Sequence, residues 1–313
     1  MRERVLITGG SGFVGSCLAR DLIAAGQDVH LLLRPGYKEW RLADLIGRFT
    51  PHLADLRDAD AVQRAIATSQ PEVVYHLATH GAYPAQRDRT AILATNLQGT
   101  INLIEALADR EYKAFVHAGS SSEYGHKNGP MREDDVLEPR SDYAIGKAAA
   151  SHLCLTEAHK GRPVSIVRLF SVYGPWEEPG RLVSHVMGCC QRGENPRVTA
   201  GSQPRDFIHV NDVVDLLKIA AHLKAAHGKI LHAGTGIQST VRDMIETIVK
   251  TVGKRVKVQY GLADLRPDEP ERWVASIDKT NALTGWKPRH NLASGIREAW
   301  NWLQMFEAQK QAA

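Results

Sequence analysis

Tyr143 and Lys147 stand four residues apart in the run Tyr143-Ala144-Ile145-Gly146-Lys147. On a helix that spacing puts both side chains on one face, where an ammonium favours the ionised form of a neighbouring phenol. A free tyrosine titrates near pH ~10, so proton exchange with an alcohol or ketone at neutral pH needs such help. The pair therefore reads as a general acid–base group for carbonyl/alcohol redox chemistry. Such chemistry also needs a hydride carrier, and Thr8-Gly9-Gly10-Ser11-Gly12-Phe13-Val14-Gly15 suits one. In a strand-to-helix turn, Gly9 allows the tight bend and Gly12 lets backbone approach a pyrophosphate at the helix N-terminus. Gly15 lets helix and strand pack closely.

The elements that would position these groups alternate along the first half. Strand-like runs cover Val5 to Thr8, Val29 to Leu33, Val73 to Leu77, Phe115 to Ala118 and Val164 to Phe170. Amphipathic helical stretches cover 15–25, 58–69, 90–108 and 142–160. This order predicts an α/β fold: a doubly wound parallel sheet of Rossmann type with a smaller C-terminal α/β substrate-binding lobe. We expect the dinucleotide-binding domain over 1–170, with 205–235 returning to it, and the lobe over 171–204 and 236–313. Pro175, Pro179, Pro196 and Pro204 punctuate the lobe, and a final helix is expected over 292–308.

Composition narrows the class. The chain has 313 residues, 43% hydrophobic and 24% charged, with a formal net charge of +4. No apolar run approaches the roughly 20 residues of a membrane span, and the short Val5-Leu6-Ile7 run after Met-Arg-Glu-Arg is no signal-peptide core. A soluble, cytoplasmic protein without membrane partners is expected. The basic residues form no stripe with interleaved aromatics, so nucleic acid is not an expected partner. Cys17, Cys154, Cys189 and Cys190 lack metal-site spacing and read as reduced, buried thiols. His76 and His80 straddle a strand end, so no metal is expected there either.

The residue at the end of the second strand selects the dinucleotide. An acid there bonds a ribose 2′-hydroxyl, and an arginine can pair with a 2′-phosphate. The strand ends Leu31-Leu32-Leu33-Arg34, which points to NADP(H), with NAD(H) as the alternative.

Further landmarks are Asp55-Leu56, His76-Leu77-Ala78, Asn96, Ser120-Ser121-Ser122-Glu123-Tyr124-Gly125, Arg168-Leu169-Phe170-Ser171-Val172-Tyr173-Gly174-Pro175 and Arg205-Asp206-Phe207-Ile208-His209-Val210. With the glycine turn and the Tyr/Lys pair, these resemble the extended short-chain dehydrogenase/reductase family through nearly the whole chain. The resemblance implies that Ser120 bonds the same substrate oxygen as Tyr143 and that Lys147 also grips the nicotinamide ribose. It implies that Asp55 and Leu56 flank the adenine, that Phe13, Val14, Leu77 and Ala78 line the dinucleotide cleft, and that Asn96 distorts its helix or relays protons. It further implies a nucleotide-diphosphate sugar as substrate, with Arg205 and Arg266 on the phosphates. His80, Tyr83, Ser121, Ser122 and Ser171 would then stand near the sugar.

Dehydratases of this family carry acids just after the catalytic hydroxyl, where this chain has Ser121 and Ser122, with Glu123 one place further on. Hydroxyls cannot act as acid and base in an elimination at neutral pH. Two enzymatic readings remain. One is an NADPH-dependent reductase of a 4-keto-6-deoxy sugar nucleotide in deoxysugar biosynthesis, which Arg34 favours. The other is an NAD-dependent nucleotide-sugar 4-epimerase. A non-catalytic dinucleotide-binding scaffold is a third. The resemblance also implies a homodimer through the helices at 90–108 and 142–160.

Overall fold

Residues 2–83, 85–263 and 269–312 are described by a computed structural model. The first unit runs β1 (Arg4–Thr8), α1 (Phe13–Ala24), β2 (Asp28–Leu33), β3 (Thr50–Leu53), α2 (Ala59–Ser69), β4 (Val73–His76), α3 (Arg89–Leu93), α4 (Gly99–Ala106), β5 (Ala114–Ser120), α5 (Asp142–His159) and β6 (Val164–Leu169). It continues into β7 (Ser171–Tyr173), α6 (Leu182–Arg192), β8 (Pro204–Arg205), β9 (Phe207–His209), α7 (Val210–His222), β10 (Ile230–Ala233), β11 (Ser239–Thr240), α8 (Val241–Val252), α9 (Asp278–Thr284) and α10 (Leu292–Ala312). The main sheet has seven strands in the order β10-β6-β5-β4-β1-β2-β3, with every pairing parallel. This is the doubly wound order, reversing direction between β1 and β4, the point at which sheets of this kind bind ligands beyond the strands' C-terminal ends.

Strand periodicity explains why both faces are covered. Val5 and Ile7 point into one core with Leu31, Tyr75 and Val116, roofed by Leu18 and Leu22 of α1 and by Val213 and Leu217 of α7. Leu6 points the other way and joins Val74, Phe115, Ile166, Val62 and Ile66 of α2, and Leu103 of α4. A two-residue period with apolar side chains on both sides is what a parallel sheet between helical layers requires. Emptying such a site by Leu6→Ala costs about 2–5 kcal/mol. A third core, built from α6, α8 and α10 with Val186, Ile245, Ile248 and Ile296 at its centre, holds the C-terminal lobe.

The helix expected over 90–108 is interrupted. Residues Ala94–Gln98 form a π-turn between α3 and α4, with Asn96 buried at its middle. All four cysteines are buried and unpaired. Among the described residues no helix is long and apolar enough to cross a membrane.

Candidate active site

The glycine turn closes β1 onto α1 at the sheet's switch point. Gly9 has φ +73°, and a Cβ there would stand 2.6 Å from the Ala78 amide nitrogen at the end of β4. A Cβ on Gly15 would stand 2.2 Å from the Gly9 carbonyl oxygen. Both positions therefore exclude side chains for steric reasons. Gly12 is the N-cap of α1, no side chain caps its amides, and its first turn holds no acid. Uncapped amides with the positive end of the helix dipole suit a pyrophosphate, so these residues fit a dinucleotide.

The surrounding residues complete that cradle. Phe13, Val14, Leu77 and Ala78 are half-buried and Leu56 is buried. The Ala78 amide donates to Thr8 Oγ1 at 3.2 Å. Thr8 Oγ1 also meets His76 Nδ1 at 2.7 Å, and His76 Nε2 meets Thr100 Oγ1 at 2.9 Å. His76 thus braces the strand ends, and burial holds its ring neutral by pushing its pKa down to about 3. Arg34 is exposed just past β2. Its charge reaches Asp55 and His80, yet Asp55 is already engaged by Arg57, Nη2 to Oδ2 at 2.6 Å.

Tyr143 is set by a helix cap. The Ser141 hydroxyl accepts from the Ala144 amide at 3.2 Å and starts α5 one residue before Tyr143. The half-buried phenol lies beside the Ser120 and Thr79 hydroxyls. Burial pushes its pKa up, and those hydroxyls together with the Arg181 charge pull it back. The expected lowering of the phenol is therefore not a property of the protein alone.

Lys147, one turn on, is 3% exposed. Its ammonium makes no hydrogen bond among the described residues, and burial pulls its pKa down to about 8 against the opposing charge of Glu123. The same ammonium helps hold His117 neutral after burial has done most of that work. His117 is fully buried, and neither of its ring nitrogens has a partner.

Asn96 fastens the neighbouring loop. Its Oδ1 accepts from the His80 amide at 2.8 Å and from Thr79 Oγ1 at 3.2 Å, while its Nδ2 donates to the His80 carbonyl at 2.8 Å. The π-turn leaves the Asn96 carbonyl to accept from Thr100 Oγ1 at 2.7 Å. Thr79 escaped the sequence reading, although its place directly after His76-Leu77-Ala78 was a usable signal.

Ser120 is nine-tenths buried and caps a tight turn, accepting from the Ser122 amide at 3.2 Å. Glu123 returns the cap by accepting from the Ser120 amide at 2.7 Å. Its carboxylate also accepts from Ser151 Oγ at 3.1 Å and from Arg168 Nε at 2.8 Å, and it is fully buried. Glu123 is thus a bracket behind Ser120 and offers no acid to the cleft.

Beside β7 and β8 a cavity of about 280 Å³ is lined in part by Ser171, Glu177, Arg181, Gln203, Arg205 and Glu269. Arg205 Nη2 pairs with Glu269 Oε2 at 2.8 Å, so an anion binding Arg205 must displace or share that carboxylate. Tyr83 is half-buried, its ring 6.0 Å from the Arg181 guanidinium, and Ser121 Oγ accepts from Trp273 Nε1 at 3.2 Å. Arg181 and Trp273 were missed because neither lies in a motif. Arg266 lies outside the described residues.

Comparison with known proteins agrees with this geometry. Residues 5–234 match the model of the NAD dependent epimerase/dehydratase family. The chain is 32% identical to UDP-glucose 4-epimerase of Mycolicibacterium smegmatis, covering 94% of this chain and 96% of that one. It is 29% identical to GDP-6-deoxy-D-mannose reductase of Pseudomonas aeruginosa, covering 95% and 96%. The structure of UDP-glucose 4-epimerase of Thermus thermophilus in complex with NAD superposes with a TM-score of 0.86 at 29% identity, covering 97% of this chain and 99% of that chain. With a family model matched over most of its length and a doubly wound sheet carrying the glycine turn, the chain belongs to the NAD dependent epimerase/dehydratase family, among the extended short-chain dehydrogenases/reductases.

Proposed function

We propose that this enzyme reduces a nucleoside-diphosphate-linked 4-keto-6-deoxy sugar, using NADPH and Tyr143 as the general acid. The observation that carries this reading is Arg34, exposed at the end of β2 where no acid replaces it and where Asp55 is already engaged by Arg57. That charge suits a 2′-phosphate. The dinucleotide supplies the hydride when bound, and the protons belong to the chain. Tyr143 donates its proton to the C4 carbonyl oxygen, and Ser120 donates a hydrogen bond to the same oxygen. Lys147 presents unused N–H donors to the ribose and offsets the developing phenolate. Arg205, with Arg266 by family resemblance, takes the diphosphate. His80, Tyr83, Ser121, Ser122 and Ser171 border the sugar. The exposed flank of α5, where Ile145 is 46% exposed, is read as the homodimer face.

The two positions directly after Ser120 carry no carboxylate for an elimination. Ser121 and Ser122 are hydroxyls, and Glu123 is sealed behind them by Arg168 and Ser151. A second reading, a 4-epimerase that retains NAD, draws on the Mycolicibacterium relative and the Thermus structure. The two separate in one assay. Incubation with NADPH and a panel of GDP-, dTDP-, CDP- and UDP-linked 4-keto-6-deoxy sugars should consume NADPH stoichiometrically. Isomerisation of a sugar nucleotide with no added cofactor would replace this reading with the epimerase.

A further inference from the structure

The connection from β2 to β3 sends one cation deep into the fold. Arg41 ends a short 3₁₀ turn, Glu39–Arg41, and is 3% exposed, although it lies in none of the motifs that carry the family resemblance. Its Nε donates to the Trp176 carbonyl at 2.7 Å and its Nη2 to Glu178 Oε2 at 2.7 Å. Nη1 lies 3.5 Å from the Ser11 carbonyl in the glycine turn. From this geometry we infer that Arg41 is a positioning residue for the substrate cavity. It acts through Trp176 and Glu178 to fix Glu177 and Arg181 in the cavity wall.

Three observations carry the inference. First, the segment Arg41 grips needs holding. Trp176 has φ +70°, and among the described residues the other non-glycine residue with positive φ is the helix C-cap Gln70. The left-handed region is unfavourable for a bulky side chain and persists only where the surroundings enforce it. Here Arg41 takes the carbonyl, the Arg20 guanidinium lies 3.6 Å over the indole, and the Trp302 and Trp40 rings pack beside it at 5.0 and 5.9 Å.

Second, consecutive residues of this segment serve different sites. Glu178 meets Arg41, whereas Glu177 is bonded to α6 instead. Glu177 is 4% exposed and accepts from the Ser184 amide at 3.0 Å and from Ser184 Oγ at 2.9 Å, with Arg181 Nε at 3.4 Å. Glu177 and Arg181 both line the 280 Å³ cavity that also holds Arg205. A shift of the Trp176 peptide therefore moves the cavity wall. Third, the task suits an arginine. A carbonyl and a carboxylate are bonded at once by the planar fork of a guanidinium, which an ammonium on a flexible stem does not reproduce. Lys38, the other cation at Glu178, is 3.8 Å away and 78% exposed, so it is a poor substitute.

The inference rests on reading that cavity as the nucleotide-sugar site, and the test separates the two. The full chain is titrated by calorimetry with NADPH, and the NADPH-loaded enzyme then with GDP, UDP, dTDP and CDP, the tightest of which serves as the probe. Failure of all four to bind the wild type would overturn the reading of the cavity and this inference with it. Arg41→Met should weaken the probe about tenfold or more, the scale of a lost charge-assisted hydrogen bond, and leave NADPH affinity within about twofold. Glu178→Ala, at a side chain 29% exposed, should weaken the probe in the same direction by a smaller factor. The double variant should add little to Arg41→Met, because both changes act through one contact. If circular dichroism shows that Arg41→Met does not fold, Glu178→Ala decides alone. Probe affinity unchanged in the folded variants, or NADPH weakened as much as the probe, would overturn the positioning role and leave Arg41 a general brace of the fold.

Discussion

Among the cations buried beside the main sheet, Arg168 on β6 and Lys147 on α5 have opposite surroundings. Arg168 is 2% exposed and fully engaged: Nε donates to Glu123 at 2.8 Å and Nη1 to Tyr124 Oη at 2.5 Å. Tyr124 passes its own proton donor to His232 Nε2 at 2.6 Å, and His232 Nδ1 donates to the Ser276 carbonyl at 2.9 Å. Lys147 is equally buried but has no hydrogen-bond acceptor among the described residues, and it stands near a histidine with two unpartnered nitrogens. Burying a charge is costly unless it is paired and bonded. The difference separates two roles. A buried ion satisfied by the protein belongs to the scaffold, whereas one without a protein acceptor is left to water or to a ligand that enters the site.

Mutations can break or sharpen that contrast. Arg168→Met leaves Glu123 buried without its counter-charge and loosens the bracket behind Ser120, so unfolding by denaturant should show a loss of about 3–5 kcal/mol. A neutral outcome would mean that the Arg168 network is not structural. Lys147→Met should act in the opposite sense, stabilising the cofactor-free protein at pH 7 by up to about 3 kcal/mol while abolishing turnover. The sign follows from linkage. The folded pKa of Lys147, about 8, lies below its ordinary 10.5, so between those values the unfolded chain holds more protons than the native one. Wild-type stability therefore rises with pH across that window, and the advantage of Lys147→Met should shrink from pH 8 to 10.5. A constant advantage at all pH values would trace the effect to packing. The smallest effect is expected at the exposed Arg34. Arg34→Ala should weaken NADP(H) binding about tenfold and leave NAD(H) unchanged, and an unaltered ratio would remove Arg34 from cofactor selection.

Much of this arrangement was legible because it is local. The glycine spacing and the four-residue Tyr143–Lys147 interval are consequences of helix and turn geometry, and strand alternation announced both faces of the sheet. What escaped depends on contacts between distant segments. Asn96 in the π-turn fastens Thr79 and the His80 amide, and Arg181 reaches Tyr83 across a hundred residues of sequence. The Glu123 role was hidden for the same reason. In sequence it is an acid next to Ser122, and Arg168 on the neighbouring strand, with Ser151, makes it a scaffold ion. Spacing brings Lys147 near the phenol, but burial raises the Tyr143 pKa in the protein alone.

The central claim is that the Tyr143 hydroxyl moves the proton at the reacting carbon. Single-turnover mixing of NADPH-loaded enzyme with the substrate identified from the 4-keto sugar panel, in wild type and Tyr143→Phe, tests it most directly. The variant should bind cofactor as the wild type does and transfer hydride about 100-fold more slowly or worse. Hydride transfer at close to the wild-type rate would contradict the account.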